Sequence, residues 1–249
     1  MKNEQRIGVC PFAVIGDPTA EEFLDRMAIY LKHKPDFIEL GIPFSDPVAD
    51  GPTVAQADER ALANGMNTTR ALELVKKLRA QTDIPIGLLV YANTVLQFGI
   101  EKFYETAQKS GVDSVLVADV PLEEAVPFAT TAKENNIHHI VLVSQYTDAS
   151  RLKKIEKIGS GFLYVVGTMG VTGARKEMDP ALFTLLKRLK KQTSLPLVVG
   201  FGISQRAHIE QLEKAGADGA IIGSKLVGTP TPQLDGLLQT LQTPPHSSI

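Results

Sequence analysis

The sequence has 249 residues, which is long enough to bury a full hydrophobic core as two small domains or as one α/β barrel. Its formal net charge of -2 gives no electrostatic reason to bind nucleic acid or anionic lipid. A single cysteine, Cys10, excludes an intramolecular disulfide, and no apolar run approaches the ~20 residues of a membrane-spanning helix. Because the N-terminus also lacks an apolar signal segment, we expect a soluble cytoplasmic protein without a membrane or nucleic-acid partner.

Short apolar runs alternate with amphipathic segments along the chain. Most of these runs are almost continuously apolar, which is typical of parallel strands covered on both faces. The predicted strands are Ile7–Ile15, Phe37–Ile42, Ile84–Tyr91, Ser114–Asp119, His139–Ser144, Phe162–Val166, Leu197–Phe201 and Ala220–Ile222.

The segments between the strands have helical periodicity and begin or end at capping residues. Asp148 and Ser204 are predicted N-caps, and Gly216 ends the helix that follows Ser204. The pattern of Lys109–Asp113 is repeated at Lys214–Asp218, which predicts the same helix-to-strand turn at two places. The predicted helices are Ala20–His33, Asn67–Thr82, Ile100–Ser110, Glu123–Asn136, Asp148–Ile158, Asp179–Thr193, Ser204–Ala215 and Gln233–Gln242.

Eight strand–helix units in about 250 residues predict a single (β/α)8 TIM barrel. A doubly wound sheet usually has fewer strands in this length, and no glycine-rich dinucleotide turn follows the first strand. We expect one catalytic domain over residues 1–242 and a disordered tail over residues 243–249.

Carboxylates occur where the active site of such a barrel is expected, at the C-terminal ends of the strands. Glu39 lies inside the apolar second strand, where burial disfavours the charged form and suits a general acid–base group. A structural carboxyl that is hydrogen-bonded to a neighbouring hydroxyl is the alternative. Asp46 and Asp50 follow in a loop rich in proline, where each is either a turn residue or a group that contacts substrate.

Small residues follow the last two strands, where barrels frequently bind phosphate. Gly200–Ser204 and Ile222–Ser224 each let backbone N–H groups approach an anion near a helix N-terminus, although glycine is also ordinary in turns. The sixth loop, Gly167–Met178, contains glycines that suit either a lid over the substrate or a flexible surface loop.

Some catalytic groups are missing from the predicted active-site end. Only Lys225 lies near the end of a predicted strand, which disfavours a Schiff-base mechanism. No histidine clusters with carboxylates there, so no metal centre is predicted. The remaining groups predict metal-free, cofactor-free acid–base chemistry on a phosphorylated substrate.

A long motif covers the second strand and its loop, Ile38–Thr53, with the sequence IELGIPFSDPVADGPT. Further motifs are Pro11–Phe12, Gly16–Pro18, Tyr91–Asn93, Ser114–Pro121, Gly170–Gly173 and Gly200–Ser204. On these motifs the chain resembles the tryptophan synthase alpha-subunit family from Gly8 to about Leu241.

The resemblance implies retro-aldol cleavage of indole-3-glycerol phosphate to indole and glyceraldehyde 3-phosphate. It also implies an α2β2 complex, in which indole passes to a β subunit that carries pyridoxal phosphate. In this family Glu39 corresponds to the acid–base group, and Asp50 corresponds to the carboxylate that accepts the indole N–H. The implied substrate-binding residues are Phe12, Leu89, Leu116, Ala118, Tyr164, Thr172 and Phe201, and the implied phosphate-binding residues are Gly173, Gly202, Gly223 and Ser224.

Two other functions compete with this hypothesis. A freestanding indole-3-glycerol-phosphate lyase would use the same residues and release indole without a partner. A non-catalytic phosphate-binding module would bind ligand without turnover, although the presence of both Glu39 and Asp50 argues against it.

Overall fold

The computed structural model describes residues 6–167 and 178–242, which form a closed barrel of eight parallel strands in the order of the chain. Thr172 and Gly173, two of the predicted site residues, lie outside the described residues, as does the predicted tail. The single (β/α)8 TIM barrel is confirmed. The strands are β1 Gly8–Val14, β2 Ile38–Gly41, β3 Ile86–Val90, β4 Ser114–Val117, β5 His138–Val143, β6 Leu163–Val165, β7 Leu197–Val199 and β8 Gly219–Ile222.

Helices surround the barrel. They are α1 Ala20–Lys32, α2 Pro52–Ala63, α3 Thr68–Arg79, α4 Ala92–Phe98, α5 Ile100–Lys109, α6 Val126–Glu134, α7 Ala149–Ile158, α8 Pro180–Gln192, α9 Arg206–Ala215, α10 Ser224–Val227 and α11 Leu234–Leu241, with 3₁₀ turns at Leu122–Glu124 and Thr231–Gln233. Within the described ranges, none of them has the length and apolar character needed to span a lipid bilayer.

Three helices, α2, α4 and α10, are absent from the sequence prediction. Helix α2 buries Val54, Ala57, Asp58 and Ala61, so its inner face is made of small residues and one carboxyl and gives a weak apolar signal. In the sequence, Pro52 looks like the last residue of the proline-rich loop before it. It lies instead in the first turn of α2, where a backbone N–H would have no partner within the helix and its loss does not weaken the helix. Helices α4 and α10 have seven and four residues, too few for a clear periodicity.

The predicted caps have mixed outcomes. The Asp148 side chain accepts a hydrogen bond from the Arg151 N–H at 2.7 Å, and Gly216 ends α9 with a φ of +92°, so both predictions are confirmed. Ser204 is not the N-cap of α9, because the helix begins at Arg206 and the Ser204 N–H instead donates to the His208 ring at 3.4 Å.

The predicted helix Glu123–Asn136 is divided into the 3₁₀ turn and α6. Pro127 lies in the first turn of α6, and its ring is tolerated there but not inside a continuous helix.

Three aspartates connect neighbouring strands at the N-terminal end of the barrel. The turns at Asp113 and Asp218 form as predicted, and Asp36 occupies the equivalent position before β2. Each carboxylate accepts the backbone N–H of a residue on a neighbouring strand and pairs with a basic side chain. The backbone donors are Val9, Ile86 and Leu197, at 2.8–2.9 Å, and the basic partners are Arg6, Arg79 and Lys190.

Candidate active site

Glu39 lies in the middle of β2 and is 3% exposed. Its backbone register pairs it with Phe12 on β1 and Gly87 on β3. Across the barrel, the Tyr164 hydroxyl of β6 donates to Glu39 Oε2 at 3.5 Å. The carboxyl group is therefore enclosed by strands, with one long hydrogen bond from a neutral donor.

This environment makes Glu39 a weak acid. Burial raises its pKa to about 8, the Tyr164 hydroxyl lowers the pKa, and the Asp50 carboxylate raises it again. The sequence analysis places Glu39 in an apolar strand and therefore predicts that burial raises its pKa, which agrees with the structure. A group with a pKa near the working pH can both give and accept a proton, so its position suits acid–base catalysis.

Asp50 lies at the end of the loop that joins β2 to α2, just before Gly51 caps that helix. The Tyr91 hydroxyl at the end of β3 donates to Asp50 Oδ2 at 2.7 Å and accepts the Ala49 N–H at 3.0 Å. The Tyr91 ring also stacks on Phe44, with ring centroids 5.0 Å apart. One tyrosine thus fixes both ends of the loop that carries Asp50.

Asp50 is half-buried, and burial raises its pKa while the hydrogen bond from Tyr91 lowers it. Its influence on the Glu39 pKa means that the two carboxyl groups share one electrostatic environment. The two predicted catalytic residues are therefore within range of each other's charge. Asp46, the other candidate in this loop, is exposed, and it accepts the Ser45 hydroxyl at 2.5 Å and, through its backbone carbonyl, the Val48 N–H at 2.9 Å, as a turn residue does.

We expect Tyr91→Phe to lower kcat about tenfold, because the Asp50 carboxylate and the Ala49 N–H both lose a partner. The phenylalanine ring keeps the stack on Phe44, so the fold and KM should change little. Steady-state turnover and thermal unfolding measure these effects. An unchanged kcat would contradict a positioning role for this hydroxyl, and Tyr104→Phe is the control because it removes a buried hydroxyl that has no hydrogen-bond partner among the described residues.

Apolar predicted residues lie on the strands beside Glu39. Phe12 is 4% exposed and its ring covers Gly41, where an added Cβ would lie 3.0 Å from Phe12 Cζ. Leu89 on β3 pairs in register with both Gly41 and Leu116, and therefore shares their side of the sheet. Ala118 follows β4 and is half-buried. Phe12 and Leu89 therefore belong to the two strands that pair with β2, whereas Leu116 and Ala118 belong to β4 and the loop after it, one strand further round the barrel.

Tyr164 is positioned by a glycine whose role the sequence did not indicate. A Cβ at Gly200, just beyond β7, would lie 1.9 Å from the Tyr164 hydroxyl, so only glycine leaves room for this ring. Phe201 packs edge-on against Tyr164, with centroids 6.4 Å apart, and is 42% exposed. Phe201 lies beyond β7 rather than inside it, since the strand ends at Val199.

The predicted phosphate-binding residues that the structure describes follow β7 and β8. Gly202 is exposed and has a φ of +76°, a conformation that favours glycine. Gly223 precedes α10, Ser224 is the first residue of that helix, and a Cβ at Gly223 would lie 3.8 Å from Phe12. Gly223 therefore adjoins the apolar residues beside Glu39. Gly202 is not directly at a helix N-terminus, because α9 begins four residues after it.

Comparisons with known proteins agree on one family. The family model described as tryptophan synthase alpha chain matches residues 1–243. The chain is 45% identical to the tryptophan synthase alpha chain of Methanothermobacter thermautotrophicus over 217 residues, 87% of this chain and 80% of that protein. It is 43% identical to the alpha chain of Shewanella oneidensis over 228 residues, 91% of this chain and 82% of that protein.

A solved structure with the same fold is a chain from the tryptophan synthase α2β2 complex of Pyrococcus furiosus. The two structures superpose with a TM-score of 0.89 at 37% identity, covering 94% of this chain and 97% of that one. The family model and these relatives cover most of the sequence, and together they show that the chain belongs to the tryptophan synthase alpha chain family.

Proposed function

We propose that this chain cleaves indole-3-glycerol phosphate to indole and glyceraldehyde 3-phosphate by metal-free acid–base catalysis with Glu39. The proposal rests on the environment of Glu39. Its carboxyl group is enclosed in the barrel, its pKa is raised to about 8, and the Asp50 carboxylate is one cause of that shift. We propose further that residues 1–242 form one catalytic domain. The pH dependence of indole release and the activities of Glu39→Gln and Asp50→Asn test the proposed reaction.

Glu39 takes part in two proton transfers: it gives one proton to the substrate and then takes another from it. The neutral carboxyl first gives its proton to carbon 3 of the indole ring, which leaves a positive charge on the ring. The resulting carboxylate then takes the proton of the side-chain hydroxyl as that carbon becomes a carbonyl. The electron pair of the broken carbon–carbon bond returns to the ring, so indole leaves and Glu39 regains its proton.

Asp50 stabilises the charge that forms on the ring. Its ionised carboxylate accepts the indole N–H and lies near the ring when that ring carries positive charge. Tyr91 holds one carboxylate oxygen at 2.7 Å and leaves the other for the substrate. Because the half-buried setting weakens hydration, the attraction is stronger than in water.

The substrate would extend from the indole pocket to the ends of β7 and β8. Phe12, Leu89, Leu116 and Ala118 would enclose the ring, with Tyr164 and Phe201 on the neighbouring side. Backbone N–H groups at Gly202, Gly223 and Ser224 would bind the phosphate. By the family resemblance, Thr172 would contact Asp50 and Gly173 would contact the phosphate.

This chemistry needs no cofactor in the chain, since proton transfer and charge stabilisation use side chains alone. Among residues 6–167 and 178–242, no group of three His, Cys, Asp or Glu side chains is arranged to hold a metal ion. Pyridoxal phosphate would belong to the β subunit.

We expect kcat/KM to decline as pH rises through about 8, because Glu39 must carry its proton when the cycle begins. It should also fall in acid, where Asp50 loses its charge. Initial rates of indole release between pH 5 and 9.5 measure both limbs. A rate that stays constant up to pH 9.5 would remove Glu39 from the role of initial acid.

A β subunit is the proposed partner, and the barrel end that carries the site offers apolar side chains to it. Val48 after β2, Leu96 after β3 and Tyr146 after β5 are 82%, 55% and 82% exposed. The family resemblance implies that the loops after β2, β3 and β6 face this subunit. Gel filtration of the chain with a tryptophan synthase β subunit tests this assembly, and two separate peaks would favour the freestanding lyase.

A further inference from the structure

A buried arginine on α1 binds the segment that follows β8. Arg26 is 4% exposed, and its guanidinium group donates to two backbone carbonyls and one hydroxyl. Nη2 donates to the Leu226 carbonyl at 2.8 Å, and Nη1 donates to the Thr229 carbonyl at 3.0 Å and to Thr231 Oγ1 at 3.3 Å. The Thr231 hydroxyl in turn donates to Glu22 Oε1 at 2.7 Å. The proposed mechanism assigns no role to these residues.

The carbonyls that Arg26 binds belong to the C-terminal end of α10 and to the turn after it. This helix is a single turn of four residues, Ser224–Val227. A single turn fixes several backbone dihedral angles for few hydrogen bonds, so it is not stable on its own. Its position in the fold therefore depends on contacts from other elements, and Arg26 supplies hydrogen bonds from the longer helix α1.

The sides of α10 pack against the indole pocket and against α2. A Cβ at Gly223 would lie 3.8 Å from Phe12 Cδ1, and a Cβ at Gly228 would lie 3.2 Å from Thr53 Cγ2 in the first turn of α2. These are packing contacts, whereas a hydrogen bond depends on both distance and angle. The hydrogen bonds from Arg26 therefore restrict the carbonyl end of α10 more narrowly than packing does.

Backbone hydrogen bonds connect that carbonyl end to the residues proposed to bind phosphate. The Leu226 N–H donates to the Gly223 carbonyl at 2.8 Å, and the Gly228 N–H donates to the Ser224 carbonyl at 3.0 Å. Arg26 binds the carbonyl of the same Leu226 residue. A shift of Leu226 would therefore move Gly223 and Ser224 with it.

We infer that Arg26 is a positioning residue for phosphate binding: from α1 it holds the carbonyl end of α10, and through this turn it sets the positions of the Gly223 and Ser224 N–H groups. This inference rests on the phosphate contacts in the proposed function. Arg26 itself does not touch the substrate in this account.

The indole pocket has its own contact with α1, which does not involve Arg26. One turn after Arg26, the Tyr30 hydroxyl donates to the Phe12 carbonyl on β1 at 3.2 Å. A substitution at position 26 leaves this hydrogen bond in place. Loss of the arginine should therefore weaken binding of a phosphate group while leaving the affinity for the indole ring unchanged.

The test measures the two halves of the substrate separately in wild type, Arg26→Met and Arg26→Lys. Calorimetric titration gives the Kd of glycerol 3-phosphate, which has no ring, and of indole, which has no phosphate. Methionine cannot donate a hydrogen bond, so Arg26→Met should raise the Kd of glycerol 3-phosphate about tenfold and leave that of indole unchanged. Lysine lacks the planar fork that reaches both carbonyls but keeps charged donors, so Arg26→Lys should raise the Kd of glycerol 3-phosphate only about threefold. The lysine variant carries the test if the methionine variant does not fold.

Steady-state kinetics give a second readout. Binding energy that is the same in the ground state and in the transition state affects KM alone, so Arg26→Met should raise KM for indole-3-glycerol phosphate about tenfold and change kcat less than about threefold. A loss confined to kcat, with KM unchanged, would overturn the inference.

Arg79→Met is the matched control for a general loss of stability. The Arg79 side chain also donates to three backbone carbonyls, those of Gly111, Thr82 and Ile84 at 2.9–3.1 Å, but at the N-terminal end of the barrel. Its substitution should lower Tm and leave the Kd of glycerol 3-phosphate unchanged. An equal rise of that Kd in Arg79→Met and Arg26→Met would overturn the inference.

Two further outcomes separate this inference from the proposed function. If wild type releases indole and binds glycerol 3-phosphate, an unchanged Kd of glycerol 3-phosphate in the Arg26 variants, or an equal rise in the Kd of indole, would refute the role of Arg26 alone. A wild-type chain that neither releases indole nor binds glycerol 3-phosphate would refute the proposed function itself.

Discussion

Glu39→Gln should reduce indole release by at least ~10²–10⁴-fold, the usual contribution of a general acid–base group. Glutamine has nearly the same shape and can accept the Tyr164 hydroxyl, but it has no proton to give to the indole ring. Substrate binding should remain, and the variant permits its direct measurement because turnover is nearly absent. Substantial cleavage by Glu39→Gln would exclude Glu39 as the acid.

The same substitution should stabilise the fold at alkaline pH. Folded wild type holds a proton on Glu39 up to about pH 8, whereas the unfolded chain releases it near 4.5. The folded state therefore binds more protons, and this group's contribution to stability falls by roughly 1.4 kcal/mol per pH unit between those values. Glutamine does not titrate, so Glu39→Gln should gain in Tm relative to wild type from pH 5 to 8. Glu59→Gln, at an exposed position, is the control and should not.

Asp50→Asn should lower kcat about 10²–10³-fold, the typical effect of removing one group that stabilises transition-state charge. The amide can still accept the Tyr91 hydroxyl, so the loop should remain in place while the negative charge is lost. KM should change less than kcat, because the charge on the ring develops only during reaction.

The residual activity of Asp50→Asn offers a second check. Because the Asp50 carboxylate raises the pKa of Glu39, its removal should move the alkaline limb to lower pH. An alkaline limb at the wild-type position would mean that the two carboxyl groups do not interact, and a wild-type kcat would remove Asp50 from catalysis.

The barrel could be predicted from the sequence because its strands are buried on both faces. In β2 every residue is buried, so the ionisable Glu39 interrupts an apolar run and can be identified without a structure. The repeated turns at Asp113 and Asp218 were visible for a similar reason, since local chemistry repeats with the architecture. Helix α2 was not predicted because its inner face consists of small residues and an aspartate.

The residues that support the site were harder to predict. Tyr91 and Asp50 are 41 positions apart, and their hydrogen bond depends on how β2 and β3 pair. Gly200 looked like a phosphate-loop residue, but its observed role is to make room for Tyr164 on the neighbouring strand. The sequence could therefore suggest the groups that react. The residues that position those groups could be identified only from contacts between secondary-structure elements.

Release of indole from indole-3-glycerol phosphate by the purified chain tests the central claim most directly. It should be measured with and without a tryptophan synthase β subunit, beside Glu39→Gln in both conditions. We expect slow release by wild type alone, a strong increase with the partner, and almost none from Glu39→Gln. Fast release without the partner would favour the freestanding lyase, and no release in either condition would contradict the proposed reaction.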